Sequence, residues 1–393
     1  MLRYGEVFLK SEPVRNEFIK TLVRNCREAL RSRGLFPDVE TVRGRIFFVG
    51  DSPEKVAGVL SRIFGVVDVA VCTLTPPDPG AVTQAAVALA LRSVAGPGAR
   101  FAVRARREGI EGITSRELAA AIGSAILAAC PGTSVDLDNP DYELHAELRE
   151  TGGVVYDRRV PAPGGLPWGT QGRVLALLSP GIDSPVAAWM MMKRGCEVAA
   201  LHVSLGEEAG SSTLPATLRN FSILSDWCRG FSIRLFVVDA GPFFERMAGR
   251  VNPKFRCVLC KRFMMRLGSH LAVREGIPAL CTGDSLGQVA SQTLANMAVI
   301  TAASTVLVLR PLVSFDKQEI VALARKIGTF DERPGDLSCP HVPRTPATAS
   351  REESILALES GLDADALARE LIDHATEYTA LNGEIVREKP GPD

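Results

Sequence analysis

Residues 173–185, which read Arg173-Val-Leu-Ala-Leu-Leu-Ser-Pro-Gly-Ile-Asp-Ser-Pro185, decide how the second half of this 393-residue chain folds. The apolar run at 173–178 predicts a buried strand, and Pro185 suits the first turn of a following helix. A Gly, an Asp and two Ser residues lie between them. Backbone N–H groups at a helix start and serine hydroxyls together bind anions, so the stretch predicts a phosphate-binding loop. It lacks the Gly-Lys-Ser/Thr of a Walker loop, which excludes that class of nucleotide site.

Strands and helices alternate beyond this stretch. The predicted order is helix 185–194, strand 196–203, helix 213–229, strand 233–238, helix 261–275, strand 278–282, helix 285–298 and strand 305–309. Such alternation with apolar strands is typical of a doubly wound parallel sheet covered on both faces. Ligands of these sheets bind at the carboxyl ends of the strands.

The N-terminal part shows a different, α+β pattern of short elements. We predict strands at 45–49, 66–74, 100–106, 133–137 and 143–150, and helices at 16–33, 81–94, from Ser52 and from Ser115, with serine as the expected cap of the last two. The breaker-rich segments Thr75-Pro-Pro-Asp-Pro-Gly80 and Pro161-Ala-Pro-Gly-Gly165 interrupt the pattern, and the second is a plausible linker.

Composition bounds the class of protein. Hydrophobic residues make up 46% of the chain and charged residues 23%, which excludes a disordered or collagen-like chain. Nine cysteines, an odd number that includes one Cys-x-x-Cys, suit a reducing cytoplasm better than a secreted disulfide scaffold. The first ten residues contain no apolar stretch, and the uncharged segment 285–309 is too polar to span a membrane, so no membrane association is expected.

The charge is zero overall, with 45 basic and 45 acidic residues, but it is unevenly distributed. Residues 251–275 carry a net charge of +5, and residues 331–393 carry −8. A local basic surface can bind phosphates on a neutral protein, although a solvated helix face is the plainer explanation. For the acidic tail we predict a solvated helix.

Several motifs resemble one known family. The loop at 179–184 resembles the pyrophosphate-binding loop of N-type ATP pyrophosphatases, usually Ser-Gly-Gly-x-Asp-Ser. The other motifs are Arg3-Tyr-Gly-Glu6, Phe101-x-Val-Arg-x-Arg-Arg107, Gly164-Gly-Leu-Pro-Trp-Gly-Thr170, Gly283-Asp-Ser-Leu-Gly-Gln-Val-Ala-Ser-Gln292 and Leu309-Arg-Pro-Leu312. In this order they resemble the tRNA 4-thiouridine synthetase (ThiI) family, over residues 1 to about 348.

This resemblance implies three domains and an activity. The domains would be a ferredoxin-like domain at 1–60, a THUMP RNA-binding domain at 61–165 and a PP-loop ATP pyrophosphatase domain at 170–393. The activity would be cytoplasmic, ATP-dependent formation of 4-thiouridine at position eight of tRNA, with Mg²⁺ on the phosphates and a homodimer as a possible assembly. Only about 45 residues follow the last motif, so the rhodanese domain of many bacterial members is not expected. Sulfur would then come from sulfide or a donor protein.

The resemblance also implies site residues. Asp183, Lys317 and Cys339 would be catalytic, and for Lys317 an ion pair with Asp316 or Glu319 is the alternative role. Nucleotide contacts would come from Leu177, Leu178, Ser179, Gly181, Ser184, His202, Val203, Arg262, Gly283 and Gln292. For His202 a packed histidine at a strand end is an equal alternative. Arginines at 104, 106, 107, 158 and 159 would meet tRNA phosphates as a group.

Pro180 departs from the family loop. Proline has no N–H, so one potential phosphate donor is missing. Because of this departure, one alternative function is a tRNA-binding protein that has lost catalysis. A second alternative is an enzyme for another tRNA thiolation, such as 2-thiolation.

Three cysteines admit three interpretations. Cys257 and Cys260 precede the basic helix 261–275, and Cys339 lies about 80 residues later. They could together hold a [4Fe–4S] or [3Fe–4S] cluster, as the resemblance to archaeal-type members implies. Cys339 could instead carry sulfur as a persulfide, or the pair with His341 could bind zinc. A cluster requires Cys339 to fold back to the pair.

Overall fold

Three β-sheets, two of five strands and one of seven, organise the part of the chain that the structure describes. The computed structural model describes residues 1–42, 44–93, 98–205, 207–332, 339 and 341–391, without the side chains of 207–212. Two units are distinguished, the first comprising Met1–Gly5, Phe36–Arg62 and Val66–Gly164, and the second Glu6–Leu35, Ile63–Gly65 and Gly165–Asp393.

The described residues of the N-terminal part form ten short strands and four helices. The strands are β1 Leu2–Tyr4, β2 Asp38–Val42, β3 Arg45–Val49, β4 Val66–Val69, β5 Thr73–Thr75, β6 Arg100–Glu108, β7 Ser134–Val135, β8 Tyr142–Arg149, β9 Gly152–Tyr156 and β10 Val160–Pro161. The helices are α1 Glu12–Arg31, α2 Pro53–Leu60, α3 Pro79–Ser93 and α4 Ser115–Ala129, with a 3₁₀ turn at Glu6–Leu9. Helix α1 groups with the second unit, where Asn25 Nδ2 donates to the carbonyl of Trp168 at 2.9 Å.

The first unit holds both five-stranded sheets. One has the order β10-β4-β1-β3-β2 with antiparallel neighbours, and the other the order β5-β9-β8-β6-β7, in which β6 runs parallel to β7 and β8. Helix α4 is capped by Thr114, not by Ser115 as predicted, because the Thr114 hydroxyl accepts from the N–H of Glu117 at 3.1 Å. Strand 66–74 was predicted as one element and is two, β4 and β5.

The second unit contains the seven-stranded sheet and its helices. The strands are β11 Arg173–Leu177, β12 Glu197–Ser204, β13 Ser232–Asp239, β14 Ala279–Cys281, β15 Leu307–Leu309, β16 Thr376–Leu381 and β17 Glu384–Lys389. The helices are α5 Asp183–Lys193, α6 Glu207–Trp227, α7 Gly241–Met247, α8 Arg256–Glu275, α9 Leu294–Thr301, α10 Lys317–Ile327, α11 Glu352–Ser360 and α12 Ala364–Asp373, with 3₁₀ turns at Pro253–Phe255 and Ala290–Gln292.

Strand order puts a switch point beside the predicted loop. The order is β15-β14-β11-β12-β13-β16-β17, and the first five strands are parallel. The order in which strands are added reverses at β11, since the chain continues to β12 and β13 on one side and later returns to β14 and β15 on the other. In open sheets of this kind, ligands bind in the crevice at that point.

Both faces of this sheet are buried. Leu175 and Leu201 face one apolar cluster, whereas Val174, Ala176 and Ala200 face the other. Burial on both faces explains the continuous apolar runs, and it confirms the predicted doubly wound architecture.

Two helix boundaries differ from the sequence prediction in ways that matter for the site. Helix α8 begins at Arg256, five residues early, so Cys257 and Cys260 lie inside its first turns. The predicted helix 285–298 begins only at Leu294, after the 3₁₀ turn at Ala290–Gln292. Uncharged composition suggested a helix from 285, but the first residues form a loop that carries polar side chains towards the switch point.

The acidic C-terminal tail was predicted to be a solvated helix, and this was wrong. It forms α11, α12 and the antiparallel hairpin β16–β17, which adds to the sheet edge beside β13. Its carboxylates pair with the basic helix α8: Glu359 bonds Arg262 and Arg266, and Asp365 bonds His270. Much of the +5 charge of that segment is therefore neutralised within the chain.

None of the described helices is both long and apolar enough to cross a bilayer.

Candidate nucleotide and sulfur site

The loop between β11 and α5 is closed on itself by serine side chains. The N–H of Ser179 donates to Ser184 Oγ at 2.8 Å, and the two hydroxyl oxygens lie 2.9 Å apart. Helix α5 begins at Asp183, so Asp183 and Ser184 occupy its first turn. Free N–H groups at a helix start favour negative charge, and this loop therefore has the construction of a phosphate site.

Gly283, which its motif predicts to be a nucleotide contact, packs on the loop. A Cβ at this position would lie 2.6 Å from the nitrogen of Ser184 and 2.8 Å from the carbonyl carbon of Asp183. Any side chain would displace the loop, so glycine is required where the chain leaves β14.

Asp183 and Lys317 meet at the loop although 134 residues separate them. The Lys317 ammonium lies 2.8 Å and 3.1 Å from the two carboxylate oxygens of Asp183. The alternative pairing of Lys317 with Asp316 or Glu319 was wrong, because those residues form the capping box of α10. Two of the predicted catalytic side chains are thus in direct contact.

The next predicted nucleotide contacts lie at the ends of strands β11 and β12. Leu177 and Val203 are partly buried and pack on the apolar core, and Leu178 is buried, so these side chains belong to the core. His202 is 3% exposed, and its Nδ1 lies 3.0 Å from the carbonyl oxygen of Leu178. Burial lowers the pKa of His202. Its Nε2 is buried, with no hydrogen-bond partner among the described residues.

Asp284, which follows the end of β14, carries a buried carboxylate with several polar partners. It accepts hydrogen bonds from Lys261 Nζ at 2.7 Å, Thr282 Oγ1 at 2.8 Å and Gln292 Nε2 at 3.2 Å, and Arg310 Nε lies 3.4 Å away. Burial alone would raise its pKa, but the Lys261 ammonium and the hydrogen bonds outweigh that effect and lower the pKa to about 2. Gln292, predicted as a nucleotide contact, is engaged with this carboxylate.

Arg262 is occupied elsewhere. It is 1% exposed, and its guanidinium bonds Glu359 and the carbonyl of Val299. The structure thus gives Arg262 a packing role, and its predicted nucleotide contact stays a prediction.

The three cysteines of interest line one cavity of about 500 Å³. Cys257 and Cys260 lie one turn apart on α8, and Cys339 joins them from 82 and 79 residues away along the chain. Burial raises the pKa of Cys257, and it raises that of Cys260 to about 12. All nine cysteines are free thiols.

His341 lines the same cavity. Its ring stacks on Phe244 with centroids 4.1 Å apart, and its Nε2 lies 3.2 Å from the carbonyl oxygen of Leu205. Within the described part of the chain, no three His, Cys, Asp or Glu side chains stand ready as a metal site. The three soft thiol donors around one cavity nevertheless suit an iron–sulfur cluster in donor type.

Three family models match the chain: Thiamine biosynthesis protein (ThiI) over residues 169–364, the ThiI ferredoxin-like domain over 1–70 and the THUMP domain over 79–156. A probable tRNA sulfurtransferase of Methanothermobacter thermautotrophicus is 39% identical over 361 residues, which are 91% of this chain and 91% of the relative. The tRNA sulfurtransferase of Pyrobaculum aerophilum is 39% identical over 390 residues, 99% of this chain and 77% of the relative. The chain belongs to the ThiI family.

Solved structures agree with the ThiI assignment. A crystal structure of a 4-thiouridine synthetase–RNA complex with bound ATP has a TM-score of 0.85 at 30% identity, covering 96% of this chain and 98% of that one. PH1313 from Pyrococcus horikoshii has a TM-score of 0.64 at 25% identity, covering 83% of this chain and 98% of that one. These matches confirm the ferredoxin-like, THUMP and PP-loop folds that the ThiI motifs implied.

Sequence reasoning missed Asn220, a residue that supports the ThiI loop. It lies on α6, is 1% exposed, and its Nδ2 donates to the carbonyl of Pro180 at 3.2 Å and faces that of Ser179 at 3.4 Å. Nothing around residue 220 in the sequence signals this role. Asp284 and Lys261 were also missed as a pair, although Asp284 lies within a quoted motif.

The arginines expected to meet RNA are not equivalent. Arg104 bonds Glu143, and Arg107 bonds the carbonyl of Ile110. Arg159 bonds the hydroxyl of Tyr156. Arg106 and Arg158 are exposed and keep their side chains towards solvent. An RNA-binding role for this group stays a prediction, with Arg106 and Arg158 as its best-placed members.

Proposed function

We propose that this chain is an ATP-dependent tRNA sulfurtransferase that converts uridine at position eight to 4-thiouridine. The meeting of Asp183 and Lys317 on a phosphate-type loop, at the switch point of a ThiI sheet, carries the proposal. Relatives named tRNA sulfurtransferase and the ATP-bound 4-thiouridine synthetase support it.

ATP is the first substrate. The loop serines and the N–H groups at the start of α5 bind its phosphates. The O4 atom of uridine attacks the α-phosphorus, the bond to the bridging oxygen breaks, and pyrophosphate leaves. Lys317 exchanges its contact with Asp183 for the phosphates, where its ammonium offsets the charge that develops in the transition state. A sulfur nucleophile then adds to C4, and AMP leaves.

Mg²⁺ fits the same loop. The Asp183 carboxylate is 26% exposed, and carboxylate oxygens are the ligands this hard cation prefers. When bound, the ion would neutralise negative charge on the triphosphate. The residues that would hold it are Asp183 and, through the nucleotide, the two loop serines.

Sulfur chemistry is assigned to the cavity of the three thiols. Cys257, Cys260 and Cys339 would hold an iron–sulfur cluster, which supplies an iron able to carry sulfide. The sulfur source, sulfide or a donor protein, belongs to this proposal. So do the cytoplasmic location, the homodimer and the domain limits 1–60, 61–165 and 170–393.

One experiment separates the candidate functions. Purified protein is incubated without oxygen with ATP, Mg²⁺, unmodified tRNA and sulfide, and the nucleosides and AMP are quantified by mass spectrometry. We expect 4-thiouridine with one AMP per sulfur incorporated. The appearance of 2-thiouridine would favour the alternative thiolation, and tRNA binding without AMP formation would favour a binder with an inactive loop.

Single replacements of Cys257, Cys260 and Cys339 by Ser test the sulfur site. If a cluster is present, protein purified without oxygen is brown, carries about four iron per site, and loses both colour and thiolation in every variant. Persulfide chemistry predicts an iron-free protein in which Cys339→Ser is inactive while Cys257→Ser is only impaired. A zinc site predicts a colourless metalloprotein whose variants lose stability more than activity.

A further inference from the structure

Asn220 of α6 contacts the backbone of the loop that joins β11 to α5. The side chain is 1% exposed, and its Nδ2 donates to the carbonyl oxygen of Pro180 at 3.2 Å and lies 3.4 Å from that of Ser179. Carbonyl oxygens can only accept, so the amide nitrogen, and not the amide oxygen, must face the loop. The orientation of the Asn220 side chain is therefore fixed by its partners.

Helix α6 is held firmly against α5. Phe221 and Leu224 of α6 are each 1% exposed, and they belong to the apolar cluster that also contains Val186 and Ala187 of α5. Because buried side chains pack at nearly the density of organic crystals, α6 cannot shift relative to α5 without losing contacts. Asn220 thus holds the loop from a rigid element.

The contact with Pro180 sets the direction of one backbone N–H. None of the described peptide bonds is cis, and in a planar trans peptide the carbonyl and the N–H point to opposite sides. Since Asn220 holds the carbonyl of Pro180 towards α6, the N–H of Gly181 points away from α6. That N–H has no hydrogen-bond partner among the described residues, which leaves it available to a ligand.

The preceding N–H groups of the loop are not available. Those of Leu178 and Ser179 donate to the carbonyl of Leu201 and to Ser184 Oγ, respectively. Pro180 has no N–H at all. Gly181 therefore supplies the first unused backbone donor after β11, and its direction depends on Asn220.

The buried amide has a cost that packing alone does not explain. Asn220 Oδ1 is buried and has no hydrogen-bond partner in the part of the chain that the structure describes. An unsatisfied buried acceptor destabilises a fold, whereas a leucine of similar shape would leave no polar side-chain atom without a partner. What the amide provides at this position is its donor to the loop carbonyls.

We propose that Asn220 is a positioning residue that aims the N–H of Gly181 at the two phosphates of ATP that leave as pyrophosphate. This inference rests on the proposed function, in which the loop binds the phosphates. Negative charge grows on the leaving pyrophosphate as its bond to the α-phosphorus breaks. A donor that already points there stabilises this charge without reorganisation.

The binding test compares Asn220→Leu with the matched control Ser225→Ala on the same helix. Ser225 is 0% exposed and its Oγ accepts from the N–H of Gly383, so the control loses a buried hydrogen bond that does not involve the loop. Calorimetry measures the affinity of the full-length chain for ATP with Mg²⁺ and for AMP, which lacks the leaving phosphates. We expect Asn220→Leu to weaken ATP binding about tenfold and AMP binding less than twofold, because only a hydrogen bond to the charged leaving phosphates is lost. The control should match wild type with both ligands.

A kinetic readout separates positioning from substrate binding in general. In Asn220→Leu, kcat for pyrophosphate release with tRNA should fall about tenfold, since the aimed donor acts on charge that develops in the transition state. The KM for tRNA should stay within about twofold of wild type.

Asn220→Asp provides a second variant that retains the shape of the side chain. A protonated carboxyl group can still donate to the carbonyl of Pro180, whereas the ionised form can only accept. Burial favours the protonated form. We expect the ATP affinity of this variant, divided by that of wild type at the same pH so that titration of the nucleotide and of His202 cancels, to be close to one at acidic pH. The ratio should fall as the pH rises.

Each outcome decides the inference. Equal losses of ATP and AMP affinity in Asn220→Leu, an unchanged ATP affinity, or the same loss in Ser225→Ala would overturn it. If Asn220→Leu does not fold, the pH series of Asn220→Asp decides, and a ratio that is independent of pH would overturn the inference. Wild-type protein that binds ATP but forms no 4-thiouridine would refute the proposed function, whereas wild-type thiolation with unchanged ATP affinity in Asn220→Leu would refute only this inference.

Discussion

Two ion pairs of the second unit have nearly equal lengths and opposite surroundings. Lys317 and Asp183 lie 2.8 Å apart with side chains 49% and 26% exposed, whereas Arg262 and Glu359 lie 2.7 Å apart at 1% and 5%. The family resemblance implies that Asp183, Lys317 and Arg262 all act at the nucleotide. The structure separates them by solvent exposure.

The difference indicates which pair a ligand can use. An exposed ion pair contributes only about 0–1 kcal/mol, so a phosphate can take over one partner at little cost. A buried pair is costly to separate, because about 3–5 kcal/mol is lost when one charge stays behind without its partner. Lys317–Asp183 is thus an exchangeable contact, and Arg262–Glu359 fastens the C-terminal helices to α8.

The largest expected effect is the loss of stability in Arg262→Gln. We expect the free energy of unfolding to fall by about 3 kcal/mol, since the buried Glu359 then keeps, among the described residues, only Arg266 as a charged partner. Urea unfolding measures this loss. The matched control Arg266→Gln, at a side chain that is 23% exposed, should lose about 1 kcal/mol. A folded, stable Arg262→Gln with a raised KM for ATP would instead support the nucleotide contact that the family resemblance implies.

Asp183→Ala should show the opposite profile. Loss of this preorganised charge is expected to lower the thiolation rate by about 10²–10³. The unfolding midpoint and the tRNA affinity should stay close to wild type, because the residue is partly exposed and acts at the loop. Single-turnover rates and urea unfolding are measured side by side, with Asp183→Asn as the isosteric control. Near-normal turnover would remove the loop from the active site.

Pro180→Gly tests how far the loop tolerates its unusual residue. Glycine restores the missing N–H, so the KM for ATP should fall by about threefold if that donor reaches a phosphate. The carbonyl of residue 180 remains available to Asn220, which should preserve the loop. An unchanged KM would mean that the N–H at this position faces away from the nucleotide.

The smallest effect is expected in the first unit. Arg106→Gln should weaken tRNA binding a few-fold and reduce the slope of log affinity against log salt by about one. Arg100→Gln is the matched control on the same strand, because Arg100 is paired with Asp136 and Asp141. Filter binding over a salt series measures both. Equal effects of the two substitutions would argue against a specific phosphate contact at Arg106.

Local patterns predicted most of the fold. The apolar runs of β11 to β15 and the Gly and Pro punctuation are short-range signals, and the strands lie within a few residues of their predicted bounds. The prediction for the acidic tail was wrong because its sequence alone resembles a solvated surface. In the folded chain, Glu359 of the tail forms ion pairs with Arg262 and Arg266 of α8. That pairing joins segments about 100 residues apart, and no local pattern encodes it.

The sequence by itself determined the phosphate loop, because a strand, a short polar turn and a helix start are adjacent in the chain. It also determined which residues could act chemically, namely Asp183, Lys317 and the cysteines. Only the tertiary structure decided their grouping. Parallel strands bring their carboxyl ends to one edge of the sheet, which unites Asp183 with Lys317 and Asp284 with Lys261. It also decided that Arg262 is buried, since exposure depends on which segment covers a side chain and not on the residue itself.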